Sequence, residues 1–161
     1  MSTPSALAIQ DFYPAEFARC YGCGRLNPHG LAIKSRWDGD ETVARFAPRP
    51  HDVAVPGFVY GGLLASLIDC HAMATAAAAA ERAAGRQIGT GPAPRFVTAA
   101  LRVEFLAPTP LGPELEIRGR PKERSARKTV IEAWILAAGQ VTVRGEVVAV
   151  PMPPTMGRAG R

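Results

Sequence analysis

Residues 63–84 are a run of helix-forming side chains without a proline or a glycine. Pro56 and Gly57 precede the run, and Gly85 follows it at a position where glycine commonly ends a helix. At about 100° per residue, apolar or small side chains occur on every side of such a helix. The pattern therefore predicts one long buried helix around which the rest of the chain is arranged.

Shorter β-like runs lie on both sides of this helix. Before it, residues 31–37 and 42–46 flank a turn at Asp38, Gly39 and Asp40, which predicts a hairpin. After it come four strand candidates joined by short turns, residues 96–106, 114–120, 127–137 and 141–150. Consecutive strands with short turns form an antiparallel meander. The sequence predicts an α+β fold in which a curved antiparallel sheet wraps one helix and leaves an edge for self-association.

The first strand after the helix shows clear alternation. Val97, Leu101, Val103 and Phe105 are apolar and alternate with polar residues such as Thr98. Successive side chains of a strand point to opposite faces of the sheet. We therefore expect the odd-numbered residues to pack and Thr98 to lie on the other face.

Composition indicates one globular domain, because 47% of the 161 residues are hydrophobic and 20% are charged. We expect a leader over residues 1–18, the domain over residues 19–150 and a flexible tail over residues 151–161. The leader carries Phe12, Tyr13 and Phe17, which can dock against the domain as a short helix.

Compartment and partners follow from cysteine count and charge. Three cysteines, an odd number, favour a reducing compartment over a disulfide framework. There is no signal-peptide pattern, and Asp69 and His71 interrupt the one long apolar segment. We expect a soluble, cytoplasmic protein. Its net charge of +5 favours an anionic partner, whether nucleic acid, a membrane surface or a phosphorylated small molecule.

Asp69 is the conspicuous residue of the helix, where it shares one side with Gly62 and Ser66. A carboxylate among small and apolar residues costs free energy unless it is paired, neutralised or used. At the helix start, Gly61 and Gly62 have no side chains to keep a ligand from the free amides, which with the helix dipole stabilise a developing negative charge. This arrangement is compatible with an acyl-transfer site and also with simple turn glycines and a surface aspartate.

Two cysteines, Cys20 and Cys23, are spaced like half of a zinc site, with His29 nearby. A structural zinc ion needs four ligands, however, and no second pair follows, while Cys70 is far away in the sequence. We therefore expect no metal, and cysteines that act as small buried apolar residues in a glycine-rich turn.

Several short motifs resemble those of the hot-dog fold acyl-CoA thioesterases, in particular the branch related to phenylacetyl-CoA thioesterases. The resemblance covers residues 20–150. The motifs are CYGCG at 20–24, NPHGL at 27–31, GFVYGG at 57–62 with Asp69 after it, and Thr98 followed by FLAPTPLG at 105–112.

This resemblance implies hydrolysis of an acyl-CoA thioester, with coenzyme A as part of the substrate and no further cofactor. It implies that Asp69 is the catalytic carboxylate, acting as general base or as nucleophile, and that amides at Gly61 and Gly62 polarise the thioester carbonyl. Thr98 would supply a hydroxyl from the partner subunit of a homodimer or homotetramer; alternatively, it is an ordinary strand residue. Ser66 is expected to contact the substrate.

Two departures from the family pattern concern the start of the helix. Tyr60 stands where the family usually has His, and Ala54 stands where it commonly has Asn. The Tyr60 hydroxyl can still donate a hydrogen bond, so we keep it among the expected catalytic residues.

A basic run begins inside the predicted second strand of the meander and continues through the turn after it, with Arg118, Arg120, Lys122, Arg124, Arg127 and Lys128 around one acid, Glu123. It is either a solvated hairpin tip or a landing patch for the phosphates of coenzyme A, with Arg124, Arg127 and Lys128 as the expected contacts. No aromatic residues interleave with these charges to stack on bases, so we expect no nucleic-acid partner, and likewise no membrane partner.

Two rival functions use the same fold. One is a non-catalytic acyl-CoA binding or sensing module, which the loss of the usual His favours. The other is a dehydratase, which needs a His beside an acid. His71 lies about 200° around the helix from Asp69 and is expected to be a hydrogen-bonded core histidine.

Overall fold

The computed structural model describes residues 7–158, so residues 1–6 of the expected leader and 159–161 of the expected tail lie outside the described residues. The main elements in chain order are β1 (Arg36–Asp38), β2 (Glu41–Phe46), α1 (Gly61–Ala83), β3 (Phe96–Phe105), β4 (Leu115–Arg124), β5 (Thr129–Ala137) and β6 (Gln140–Pro151). The predicted α+β architecture is confirmed, with one long helix against one antiparallel sheet.

Helix α1 begins two residues earlier than expected, at Gly61, and ends where Gly85 follows. Gly85 adopts a φ of +69°, its amide donates to the Arg82 carbonyl at 3.0 Å, and the Arg86 amide donates to the Glu81 carbonyl at 2.9 Å. This pair of bonds is the Schellman motif, which satisfies carbonyls at the helix end.

The helix is apolar enough, at a mean hydropathy of 1.5, to meet a length-and-composition test for a membrane span. However, 72% of that apolar window is buried inside the protein. Burial against the sheet accounts for its apolar composition, since a helix that is apolar all round is typically buried.

The six strands are ordered β1-β2-β4-β5-β6-β3, and all neighbours are antiparallel. Helix α1 contacts β3, β4, β5 and β6, so the core lies between it and the middle of the sheet. Strand β3 is long and forms one edge, and most of its residues are exposed. A long, exposed edge offers unpaired backbone groups to another chain.

The hairpin at Asp38, Gly39 and Asp40 is confirmed, but its first strand is much shorter than predicted. Residues 31–35 are irregular because their amides bond elsewhere. The Leu31 and Ile33 amides donate to the Tyr21 and Gly22 carbonyls, at 2.8 Å and 3.1 Å. This segment therefore pairs with the cysteine-containing loop instead of the sheet.

Strand β3 contains an irregularity that reverses the expected facing of Thr98. Its pairing register with β6 shifts between Thr98 and Ala100. Before the shift, Phe96 is buried and Thr98 reaches helix α1; after it, Val103 packs on the core and Phe105 contacts Gly61. An extra residue in a β-bulge moves all later side chains to the opposite face. The prediction that Thr98 lies opposite the packing residues is therefore wrong.

The described parts of the leader and tail pack on the domain. Residues Ile9–Phe12 and Ala15–Phe17 form 3₁₀ turns, and Ile9, Gln10 and Tyr13 are buried. The Met152 amide donates to the Arg95 carbonyl, and a further 3₁₀ turn, Met156–Arg158, follows.

Candidate functional site

Asp69 lies on α1 and is half-buried, with its carboxylate beside strand β3. The Thr98 hydroxyl donates a hydrogen bond of 2.5 Å to Asp69 Oδ1. Within residues 7–158, no other hydrogen bond to this carboxylate is present. The site thus holds an acid by one oxygen and leaves the other available to a ligand.

Thr98 and Asp69 belong to the same chain. Within one chain the Thr98 hydroxyl therefore already contacts Asp69, and a hydroxyl supplied by a partner subunit stays a prediction. The β-bulge after Thr98 explains the contact, because it turns that side chain toward the helix.

The environment of Asp69 favours its protonated form. Burial raises the pKa of this carboxyl, the Thr98 hydrogen bond lowers it, and the nearby Cys20 raises it further, with a net increase. A carboxylate with a raised pKa is a stronger base than one in water, which suits proton abstraction near neutral pH.

Two unpaired amides lie at the start of α1. The N-cap residue, Tyr60, supplies no side-chain acceptor, and the amides of Gly61 and Gly62 make no hydrogen bond within the described residues. Amides in this position carry the positive end of the helix dipole. They can stabilise an anion or a developing oxyanion.

Aromatic rings fill the space beside both glycines, which differs from the open space that we predicted. A Cβ on Gly62 would lie 2.6 Å from the Tyr60 hydroxyl and 2.4 Å from its ring, and a Cβ on Gly61 would lie 3.4 Å from Phe105. Gly62 is thus required for Tyr60 to fold back over the first turn. Tyr60 and Phe105 remain 58% and 56% exposed, so they border the helix start without sealing it.

The amides of Gly61 and Gly62 and the carboxylate of Asp69 lie about two turns apart along α1. Asp69 comes seven positions after Gly62. At 1.5 Å per residue this is a rise of about 10 Å along the axis. This separation agrees with the expected position of the acid one to two turns after the donors, and the expectation that the complete site lies between two subunits stays a prediction.

Ser66 lies on the same side of α1 as Asp69, one turn earlier, and is half-buried. Its hydroxyl donates to the Gly62 carbonyl at 2.9 Å. The one proton of this hydroxyl is therefore engaged within the helix, and only its lone pairs face a ligand.

His71 is fully buried on the opposite side of the helix, as predicted. Its Nδ1 lies 2.8 Å from the Ser35 hydroxyl and its Nε2 lies 3.0 Å from the Thr42 hydroxyl. Burial lowers the pKa of His71 to about 4, so it is neutral at pH 7. This residue cannot serve Asp69 as the second group of a dehydratase.

The basic run divides into two parts. Arg120 pairs with Glu132 on the neighbouring strand β5 at 3.2 Å, and Lys122 pairs with Glu146 on β6, two strands away, at 2.8 Å. Arg118 also has acidic partners, on β1, β2 and β4. The exposed residues Arg124, Arg127 and Lys128 at the hairpin tip have no acidic partner within the described part of the chain.

This tip lies at the same end of the sheet as Thr98. Arg124, Thr129, Ala149 and Thr98 form one row across four neighbouring strands. With about 4.8 Å between strands, Arg124 is about 14 Å from Thr98.

Grooves lie at both ends of the helix. A groove of about 510 Å³ at its start is lined by Gly61 and by apolar side chains that include Phe58, Leu64 and Phe105. A larger one of about 710 Å³ lies at its other end, between Trp37 and Ile88, and does not include Asp69.

The fold brings Cys70 together with Cys20 and Cys23, which contradicts the expectation that it is separate. The three sulfur atoms lie within 4.8 Å of one another. Cys20 Sγ and Cys70 Sγ lie 3.7 Å apart, and interaction among the thiols lowers the pKa of Cys20 and raises the pKa of Cys23 to about 11. Sequence spacing gave no signal for this cluster, because α1 supplies one of its members.

Comparison with known proteins identifies the family. The family model described as thioesterase superfamily matches residues 56–144, which include the helix start, Asp69 and Thr98. Among curated proteins, none matches this chain.

Solved structures agree with this assignment. A thioesterase superfamily protein from Shewanella loihica is 49% identical, with a TM-score of 0.64 over 79% of this chain and 96% of that one. The Escherichia coli PaaI protein from the phenylacetic acid degradation operon has a TM-score of 0.61 at 15% identity, over 76% of this chain and 81% of that one. A thioesterase from Haemophilus influenzae also has a TM-score of 0.61, at 13% identity, over 76% of this chain and 79% of that one. The last two show the fold alone. The chain therefore belongs to the thioesterase superfamily and has the hot-dog fold.

Proposed function

We propose that this protein hydrolyses an acyl-CoA thioester and that Asp69 is its catalytic carboxylate. The observation that carries the proposal is the state of Asp69: half-buried, held at Oδ1 by Thr98, with a raised pKa and a free second oxygen. Membership of the thioesterase superfamily supports thioester hydrolysis as the reaction class.

The chemistry requires a base and an oxyanion site. Asp69 either takes a proton from water as the water oxygen bonds to the thioester carbonyl carbon, or bonds to that carbon itself and forms an anhydride. In both routes the carbonyl oxygen gains negative charge, the C–S bond breaks, and coenzyme A leaves as the thiol after it accepts a proton. Water then cleaves the anhydride in the second route.

Two copies of the chain are needed to complete this site. Along one helix, the backbone of Gly62 and that of Asp69 are separated by a rise of about 10 Å, whereas the amides must reach the carbonyl oxygen while Asp69 reaches the carbonyl carbon or the attacking water. We infer that Asp69 and Thr98 of one copy meet the amides of a second copy. The long exposed edge of β3 supports this assembly, because it carries Thr98 and is open to strand pairing.

Mixing two inactive variants tests the composite site. Asp69→Asn removes the base, and Gly62→Val displaces Tyr60 and disturbs the amides. In a mixed dimer, one of the two sites has both native halves, so a statistical mixture should recover about a quarter of wild-type activity. No recovery in a verified mixed dimer would contradict the two-copy site.

The unpaired basic tip is proposed to bind the phosphates of coenzyme A. Arg124, Arg127 and Lys128 lie at the same end of the sheet as Thr98 and have no acidic partner in the described chain. Arg and Lys bind phosphate through charge-assisted hydrogen bonds.

Replacement of Arg124 and Arg127 by Ala should raise KM with little change in kcat, because ground-state and transition-state binding weaken together. The matched control is Lys122→Ala, which removes a charge that Glu146 already balances. An unchanged KM in the double variant contradicts the phosphate patch.

An apolar groove is available for the acyl group. It begins at Gly61 and continues between Phe58, Leu64 and Phe105. An acyl chain attached to a carbonyl at the Gly61 amide would enter it.

The decisive experiment measures free-thiol release from short-chain, long-chain and aryl-acetyl CoA thioesters. We expect wild type to hydrolyse one class, and Asp69→Asn to lose most of kcat while still binding it. Asp40→Asn, which removes an exposed carboxylate from the β1–β2 turn, is the control and should retain activity.

The second candidate is an acyl-CoA binding module. The Tyr60 ring over Gly62 favours it, since a bulky side chain stands where the family usually has His. Binding of these thioesters by wild type without thiol release would support this function over hydrolysis.

A further inference from the structure

We propose that Cys20, Cys23 and Cys70 form a three-thiolate site for one Zn²⁺ ion, which ties the cysteine loop to the helix turn that carries Asp69. The distance between Cys20 Sγ and Cys70 Sγ is 3.7 Å, and all three sulfurs lie within 4.8 Å of one another. Zinc binds thiolate at about 2.3 Å, so two sulfurs of a tetrahedral site are about 3.8 Å apart. The sulfurs are therefore spaced to share an ion with little movement.

The loop has the form of a metal-binding turn. The Gly24 amide donates to the Cys20 carbonyl at 2.8 Å, which closes the turn between the two cysteines. This turn brings the two loop sulfurs within 4.8 Å of each other and of Cys70 Sγ.

The approach of Cys70 depends on the absence of a side chain at Gly22. A Cβ on Gly22 would lie 2.1 Å from Cys70 Sγ. The loop is also fixed from its other side by the Ile33 amide, which donates to the Gly22 carbonyl. The Cys70 sulfur therefore packs closely against the loop.

The buried hydroxyl of Tyr13 is a second observation that concerns the same cluster. Tyr13 is 3% exposed, and its hydroxyl has no hydrogen-bond partner of acceptable geometry among the described residues. This hydroxyl lies within electrostatic reach of Cys23 and Cys70. A buried hydroxyl requires a partner. A water molecule on the fourth coordination position of the ion would provide one.

The surroundings also fit the charge of the site. Three thiolates and one Zn²⁺ carry a net charge of −1. The Arg95 guanidinium lies over the Tyr13 ring, 4.2 Å from its centroid, and within electrostatic reach of Cys23. It can offset that charge. No fourth His, Cys, Asp or Glu joins the cluster within residues 7–158, so one coordination position is open.

The test titrates the full-length, reduced, metal-free protein with Zn²⁺, and with Co²⁺ as a spectroscopic probe of thiolate ligation. We expect one equivalent to bind, with sulfur-to-cobalt charge-transfer bands and a higher midpoint of thermal unfolding. Cys70→Ser and Cys20→Ser should each weaken binding by more than about 100-fold. Tyr13→Phe should retain the bound ion with a changed cobalt spectrum, because only the water loses a partner.

The matched control is the double variant His29→Ala and His51→Ala, which removes exposed histidines and should bind as wild type does. Should a serine variant fold poorly, alkylation of wild type decides: Zn²⁺ should protect all three cysteines, which are the only ones in the chain. The proposal is overturned by absence of stoichiometric binding, by equal affinity of Cys70→Ser, by unprotected cysteines in the presence of Zn²⁺, or by a Cys20–Cys70 disulfide in place of bound metal.

Discussion

Helix α1 carries two polar clusters on opposite sides, and they differ in how completely the chain satisfies them. The closed cluster consists of His71, Thr75, Ser35, Thr42 and Gln10, all buried. The open cluster consists of Asp69, Thr98 and Ser66, none of which is fully buried. Asp69 and His71 are only two residues apart, so the helix itself does not account for the difference.

The closed cluster is satisfied by neighbours from several segments. Ser35 accepts a hydrogen bond from the Gln10 side chain at 2.9 Å and also contacts His71, while Thr42 contacts both His71 and Thr75. Each polar group therefore has its partners, as a buried network requires. In the open cluster, a charged group has one partner and access to solvent. A cluster whose polar groups are all hydrogen-bonded to one another stabilises the fold, whereas a cluster with an unpaired polar atom can bind a ligand and take part in a reaction.

The largest expected effect is on the open cluster, through Asp69→Asn. Loss of a general base or nucleophile should lower kcat by about 10²–10⁴-fold. The midpoint of thermal unfolding should stay the same or rise at pH 7, because burial raises the pKa of Asp69 and the native state disfavours its charge. Thiol-release kinetics and calorimetry on the same samples check both parts. A large drop in the midpoint of thermal unfolding would show that Asp69 mainly stabilises the fold.

The substitution His71→Ala in the closed cluster should have the opposite pattern of effects, with a loss of stability and little change in kcat. The variant leaves a cavity and removes the ring partner of Ser35 and Thr42, which should lower the free energy of unfolding by about 3 kcal/mol. Urea denaturation measures this change, and kcat per folded molecule should be nearly unchanged. His51→Ala, at a side chain that is 71% exposed, is the control and should change stability by less than about 0.5 kcal/mol. Loss of kcat in folded His71→Ala would mean that the two clusters are coupled through the helix.

A smaller effect is expected from the one hydrogen bond of the open cluster. Thr98→Val keeps the shape of the side chain but removes the donor to Asp69, and should lower kcat roughly tenfold. Thr98→Ser keeps the hydroxyl and should retain most of the activity. Steady-state kinetics of the pair separate the hydroxyl from the strand packing; equal activity of both variants would show that the hydrogen bond has no role in the reaction.

The smallest expected effect is on the ion pair between Arg49 and Asp52, which belongs to neither cluster. Asp52 accepts hydrogen bonds from the Arg49 side chain, and its carbonyl accepts from the Tyr60 amide at 2.8 Å. Burial tends to raise the pKa of Asp52, but the Arg49 hydrogen bonds outweigh it, so the pKa is lowered below 3.8. The native state then binds fewer protons, and the stabilisation is present above the unfolded pKa and lost as pH falls through the folded one.

Asp52→Asn should therefore reduce the free energy of unfolding by about 1 kcal/mol at pH 7. The difference from wild type should shrink as pH falls below about 4, where the wild-type carboxylate protonates. Urea denaturation at several pH values measures it. A difference that persists at low pH would indicate a packing effect instead of the ion pair.

Much of the architecture follows from local patterns. The helix, its end at Gly85, the hairpin at Gly39 and the four later strands were predicted because periodicity and turn residues act over a few neighbours. The position of Thr98 could not be predicted in this way. A β-bulge depends on how two strands pair, and one extra residue reverses the face of everything after it.

Local patterns along the chain were enough to indicate one apolar helix with Asp69 in its first half, preceded by two glycines, within an antiparallel sheet. Local patterns did not indicate which groups meet in the folded chain: Thr98 with Asp69, Cys70 with Cys20 and Cys23, and Lys122 with Glu146. Each pair joins residues that are distant along the chain. Their contact depends on strand register and on how the helix crosses the sheet, and residue type at either position does not encode it.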